Sequence, residues 1–131
     1  MPVTWEIRDR VLIVNLVGDY AFDEPVQVVN EGLLDPQFRL GTSLLIDARL
    51  AHAHRTSEDM HRRAEWVASL QPRGISSRCA IVIRSQPDQF GVARMATTHH
   101  EMAGLEMDIF TDFEEALRWL HTGGATSSAT E

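Results

Sequence analysis

Three short segments are apolar at nearly every position: VLIVNLV at residues 11–17, SLLIDA at 43–48 and CAIVI at 79–83. A strand with one wet face alternates apolar and polar residues, so runs like these belong to strands covered on both faces, as in a parallel sheet. Parallel neighbours need crossovers, and the intervals carry a helical period. After Asp23 as a cap and Pro25 in the first turn, Val26, Val29 and Leu33 fall in one narrow arc, and Pro36 ends the segment. Residues 57–70 put Met60, Ala64 and Val67 on one stripe before Pro72. Residues 88–103 put Val92, Met95, Ala96, His99, Met102 and Ala103 on one side, which predicts a core role for His99 and Met102.

The ends of the chain read differently. Val3, Trp5 and Ile7 alternate with Thr4, Glu6 and Arg8, so the first strand has one exposed face, and Asp9-Arg10 then reads as a hairpin turn. Gly18 closes the second strand, and residues 49–55 read as a polar loop after the third. Leu105, Met107 and Ile109 alternate with Glu106 and Asp108, the pattern of an edge strand. Thr111 and Glu114 have capping-box spacing, and Phe113, Ala116, Leu117 and Leu120 form the apolar face of a last helix. Residues 1–122 therefore read as one domain, and GGATSSATE at 123–131 as a disordered tail.

The resulting order is β-β-α-β-α-β-α-β-α: an α/β fold with a five-stranded, mostly parallel sheet, an N-terminal hairpin and four helices. Right-handed crossovers between strands laid down in sequence send the crossover helices to one face. The interior strands are nonetheless apolar on both faces. The second face then needs a cover, which could be a dimer partner, the terminal helix or a bound apolar molecule.

Charge narrows the functional classes. All 12 basic residues are arginine against 19 Asp plus Glu, giving a formal charge of -7. The absence of lysine removes Schiff-base chemistry and the P-loop lysine, and the acidic balance opposes phosphate attraction, so no nucleic-acid partner is expected. Cys79 is the only cysteine, residues 1–10 have no signal-like apolar core, and no apolar run approaches a membrane span, which together predict a cytoplasmic address. There is no Gly-x-Ser-x-Gly elbow and no phosphate-cradling glycine loop, and the chain reads as non-enzymatic with no cofactor. Asp47, at the end of an interior strand, is the best isolated acid, with a salt bridge to Arg49 or Arg84 as its simpler role.

The order of elements, the DAR after SLLI, FGVARM at 90–95 and FTDFEEALRWL at 110–120 together resemble the SpoIIAA-like family of bacterial proteins. That family is related in fold to the STAS domains of anti-sigma factor antagonists and is compared with lipid-binding SEC14 (CRAL-TRIO) domains. The resemblance covers residues 3–121. It implies a small non-enzymatic domain that binds apolar ligands or membranes or acts through regulatory contacts. STAS antagonists carry a phosphorylatable serine where the helix after the third strand begins. That place falls on Thr56 or Ser57, although the usual Asp-Ser pair is replaced by Arg55-Thr56-Ser57-Glu58.

Thr56 and Ser57 can serve as plain helix caps, since Thr56 and Asp59 have reciprocal spacing, or as an anion or phosphorylation site favoured by the helix dipole. Residues 49–63 hold Arg49, Arg55, Arg62 and Arg63 with His52, His54 and His61, a basic patch that reads either as a solvated face or as a receptor for anionic head groups. His52 and His54 project to one side of an extended segment and could share an ion with His61 or the distant His99 as third ligand, but there is neither a Cys pair nor a helical His-Glu-x-x-His, and no metal site is expected. Trp66 and Phe90 lie off the apolar stripes of their helices, so both are expected at least partly exposed, either packed locally or bordering a cleft. The expected function is binding of an apolar or amphipathic, lipid-like ligand or a membrane surface, bordered by Trp66, Phe90, Arg49, Arg55, Arg62 and Arg63. The alternative is a STAS-type module that contacts a protein partner or a second copy, switched at Ser57 or Thr56.

Overall fold

The computed structural model describes residues 2–52 and 56–129, the side chains of 122–129 excepted. Arg55 and His54 therefore lie outside the described residues.

The elements are β1 (Val3–Arg8), β2 (Val11–Gly18), α1 (Glu24–Leu33), β3 (Thr42–Ala51), α2 (Ser57–Ala68), β4 (Ile75–Val82), α3 (Pro87–Met102), β5 (Glu106–Phe110) and α4 (Phe113–Ala129), with a 3-10 turn at Gln71–Arg73. The five strands lie in sequential order β1-β2-β3-β4-β5. β1 is antiparallel to β2 across a hairpin in which Asp9 and Arg10 both have positive φ, as a two-residue turn between twisted strands requires. The other three pairings are parallel. The two one-sided strands are thus the edges, as their alternation predicts.

The apolar runs are two-sided because the sheet carries helices on both faces. Leu12, Val14, Leu16, Leu44 and Cys79 pack with Val28 and Val29 of α1, Val67 of α2 and Ala96 of α3. Residues of opposite parity, Val11, Ile13, Leu45, Ala80 and Val82, pack with Ala116, Leu117 and Leu120 of α4. Of the three covers open to the second face, the terminal helix is the one that lies on it. An uncovered sheet face is therefore no reason to expect a guest or a mate. Burial among these apolar neighbours pushes the Cys79 thiol up to about 12, with Glu106 adding to the shift, so it behaves as a core residue rather than as a nucleophile.

Several local expectations shift. β3 runs on to Ala51, so Arg49 and Leu50 are strand residues rather than part of a polar loop. β4 begins at Ile75, four residues before the CAIVI run, because its first half is polar. In α1 the buried residues are Pro25, Val28, Val29 and Gly32, while Val26 and Leu33 are half-buried. At Gly32 the helix approaches β2 closely: a Cβ there would lie 2.9 Å from Leu12 Cδ1, so a larger residue would have to displace the end of that side chain. Asp23 occupies the N-cap of α1 without a side-chain cap bond; instead Glu24 Oε1 accepts from Ala21 N–H at 2.6 Å. For α4 the capping oxygen is Asp112 Oδ1, which accepts from Glu115 N–H at 3.0 Å, one position later than Thr111. The backbone of α4 continues to Ala129, into the stretch read as a tail; side chains there lie outside the description.

α3 differs most. Its buried residues are Ala93, Ala96 and His100, whereas Met102 is 74% exposed and His99 is half-buried. Met102 is therefore not a core residue. A stripe built from small alanines is faint beside Val92 and Met95, and the larger side chains drew the expected face about one residue out of phase.

Candidate functional site

The carboxyl ends of β2, β3 and β4 converge at one edge of the sheet, where ligand sites of open parallel sheets form. Between this edge and helices α1, α2 and α3 lies a cavity of about 180 Å³. Its floor is the sheet, through Val14, Leu16, Leu44, Ile46, Ile81 and Met107. Ala93 and Ala96 of α3 keep the roof back, because their side chains stop at Cβ. Met60 and Trp66 of α2 and Tyr20 and Phe22, just before α1, close the side.

Polar groups meet this space in two places. At the rim are the exposed His52 and Asp88 and the half-buried Arg84. Arg84 donates from Nη1 to the carbonyl of Arg49 and, at 3.3 Å, to that of Ala51, while Gln89 Nε2 donates to the Ala48 carbonyl at 3.1 Å. These bonds tie the start of α3 to the end of β3. Away from the rim, His100 is only 2% exposed and lines the cavity. Its Nδ1 lies 2.7 Å from the Ala96 carbonyl, and its Nε2 has no hydrogen-bond partner among the described residues.

The arginines expected to form one patch separate. Arg63 lines the cavity, donates to the Phe22 carbonyl, and has its guanidinium 4.1 Å from the Phe22 ring centre and 5.3 Å from that of Trp66. Arg62 is exposed beside it, 4.8 Å from the Phe22 ring and paired with Asp59 at 3.1 Å. Arg49 points to the other face of the sheet, where it holds Asp47 through two bonds, at 2.7 and 3.0 Å, and lies over Phe113. The bonds to Asp47 raise the Arg49 pKa. Arg49 therefore does not border the cavity, and Asp47 takes the salt-bridge role weighed above. Phe90 is half-buried on α3 and does not line the cavity, whereas Trp66 does. Trp119 packs over Phe110 with the Arg78 guanidinium 3.9 Å from its ring.

Thr56 is the N-cap of α2: its side chain accepts from Asp59 N–H at 3.1 Å, and Asp59 Oδ2 accepts from Thr56 N–H at 3.2 Å. That bond from the Thr56 backbone is the main cause holding the Asp59 carboxyl below its usual range. Ser57 is exposed, with Oγ sharing a hydrogen bond of 2.8 Å with His99 Nε2. Among the described residues no three His, Cys, Asp or Glu side chains gather as a metal site.

Sequence reasoning missed His100, Arg84, Phe22 and the lining alanines. The spacing of Ala93, Ala96 and His100 was the available signal. It is a helical stripe of small residues ending in a polar one.

Comparison with solved structures decides the fold. A crystal structure of an uncharacterized protein from the DUF3478 family of Shewanella loihica PV-4, described as having a SpoIIAA-like fold, matches with a TM-score of 0.57 at 15% sequence identity, covering 90% of this chain and 91% of that one. The chain has a SpoIIAA-like fold. No protein-family model and no curated protein matches it. Within this SpoIIAA-like domain no described helix is long and apolar enough to cross a membrane.

The buried histidine gives the domain a pH signature. Burial lowers the His100 pKa, partly opposed by its bond to the Ala96 carbonyl, and the positive charges of Arg63 and His99 lower it further. The unfolded chain takes up this proton near pH 6.5 and the folded one only at lower pH. The stability that His100 confers is thus complete above about pH 6.5 and declines on acidification, by at most about 1.4 kcal/mol per pH unit until the folded pKa is passed. His100→Phe should remove that part of the slope. Urea unfolding of both proteins at several values between pH 5 and 7.5 reads it, and parallel curves would count against the assignment.

Proposed function

We propose that this SpoIIAA-like chain is a non-enzymatic, cytoplasmic binding domain that takes a small apolar or amphipathic molecule between its sheet and helices α2 and α3. The observation that carries this reading is the cavity of about 180 Å³, lined mainly by aliphatic and aromatic side chains at the carboxyl ends of the parallel strands. A ligand seated there gains dispersion contacts with these side chains. The cavity's volume is close to that of an engineered cavity of about 150 Å³ that binds benzene, so one ring or a short chain fits and a whole lipid tail does not. Trp66 and Arg63 border the site; Arg62 and Phe22 extend its rim toward amphipathic molecules or a lipid surface. Native mass spectrometry of gently purified protein should show a population heavier by one small molecule. Bare chain alone, together with an unchanged melting temperature in saturating toluene, would contradict the proposal.

A second reading is favoured by Ser57, whose exposed hydroxyl sits in the first turn of α2 against His99. In that reading the domain is a regulatory contact module and phosphate on Ser57 alters its docking. Ser57→Asp should then change co-precipitation of a cellular partner, and identical recovery with both proteins would remove it.

A further inference from the structure

Basic side chains gather where α2 packs against α3. His61 of α2 meets the His99 ring edge-on, with centroids 5.7 Å apart, and Ser57 Oγ shares its 2.8 Å bond with His99 Nε2. The charges that act on His100 are those of Arg63, from α2, and His99, and both oppose a proton there. The acids of these helices are engaged or exposed: Asp59 with Thr56 and Arg62, Glu65 with His61, and Glu58 and Glu101 in solvent. From β5, Met107 lines the cavity beside α3, while Glu106 and Asp108 alternate to the opposite face, where Glu106 pairs with Arg78. His100 Nδ1 is held by the Ala96 carbonyl, and Nε2 is enclosed without a partner among the described residues. A second proton therefore needs water at Nε2, and water reaches it once α3 moves away.

We infer that acid parts α3 from α2 while the sheet stays folded, with His100 as the trigger; that this parting gates the cavity rests on the binding reading above. The movement is cheap in apolar surface. α3 buries only Ala93, Ala96 and His100, and α2 only Ala64 and Val67, whereas unfolding the sheet would expose Leu12, Val14 and Leu44 as well. The lining is divided between the two sides of the seam, with Met60 and Trp66 on α2 and Val92, Ala93 and Ala96 on α3, so parting them gives an occupant its way out. The opened form stays a minority. Acid then quickens exchange of the occupant without changing how tightly the closed form holds it.

Amide hydrogen exchange of the full chain in dilute urea, at pH 7.5 and pH 5.5 and corrected for the pH dependence of the chemical step, reads the opening. Amides of residues 93–102 should exchange through an opening with a larger equilibrium constant and a flatter urea dependence than those of β2 and β3. That constant should rise about five- to tenfold at the lower pH, tenfold being about the ceiling for one proton with an ordinary pKa of about 6.5, and should not rise in His100→Phe. Toluene, as the probe of the cavity, should leave faster by the same factor in NMR exchange measurements. Amides of α3 that exchange only together with β2 and β3, an opening constant equal at both pH values, or an equal rise in His100→Phe would each overturn the inference. Should that variant not fold, the first two outcomes in wild type still decide. Toluene that binds but leaves at one rate at both pH values overturns the gate while the binding reading stands. Toluene that does not bind, with α3 opening in acid, leaves the seam's response standing and removes the binding reading.

Discussion

Leu117→Asp is expected to lower the unfolding free energy by about 4 kcal/mol, a large share of the roughly 5–15 kcal/mol that a domain typically has to lose. Leu117 is 6% exposed and packs with Val11, Ile13, Leu45, Ala80 and Val82 on the sheet face opposite the cavity. Shortening such a side chain alone costs about 2–5 kcal/mol. A carboxylate adds the penalty of a buried charge among these apolar neighbours. Denaturant unfolding followed by circular dichroism measures the loss. A variant as stable as wild type would mean that α4 does not cover this face, and the bare apolar sheet would again demand a partner or a ligand.

Filling the cavity should separate binding from folding. In Ala93→Phe the new ring enters a space of about 180 Å³, comparable to the roughly 150 Å³ that accommodates benzene in a protein core. Overpacking costs about 1–3 kcal/mol where no space exists, and less here because the ring occupies a void. Affinity for toluene or phenol should fall by at least about a hundredfold, equivalent to about 2.7 kcal/mol. Calorimetric titration, with a melting curve of the same sample, reads both quantities. Undiminished binding in a folded variant would place the ligand elsewhere.

The fold was legible because its signals are large and local. Two-sided apolar runs marked β2, β3 and β4, one-sided alternation marked β1 and β5 as edges, and Asp9-Arg10 marked the hairpin. The reciprocal spacing of Thr56 and Asp59 likewise announced the capping box. The cavity was legible only in part. Trp66 stood out as a large residue off the apolar stripe and Arg63 as a member of the basic patch, and both line it. Arg49 seemed to belong with them by proximity in sequence, but strand alternation sends it to the opposite face once β3 is extended to Ala51. Phe90 has the chemistry of a lining residue without the position. A cavity is also defined by what side chains leave unfilled, and Ala48, Ala51, Ala93 and Ala96 carry little periodic signal of their own. His100 was overlooked for the same reason, since His99 lay on the face marked by Val92 and Met95 while the alanine stripe ran one residue over.

Crystals of the full chain equilibrated under xenon pressure show whether the cavity is open and apolar, because xenon enters dry apolar space without needing a chosen ligand. One xenon site is expected between the sheet and the helices, in contact with Leu44, Ile46 and Ala93, and it should disappear in Ala93→Phe. A space without xenon, closed by inward movement of α2 and α3 or filled by a chain of ordered water, would contradict it.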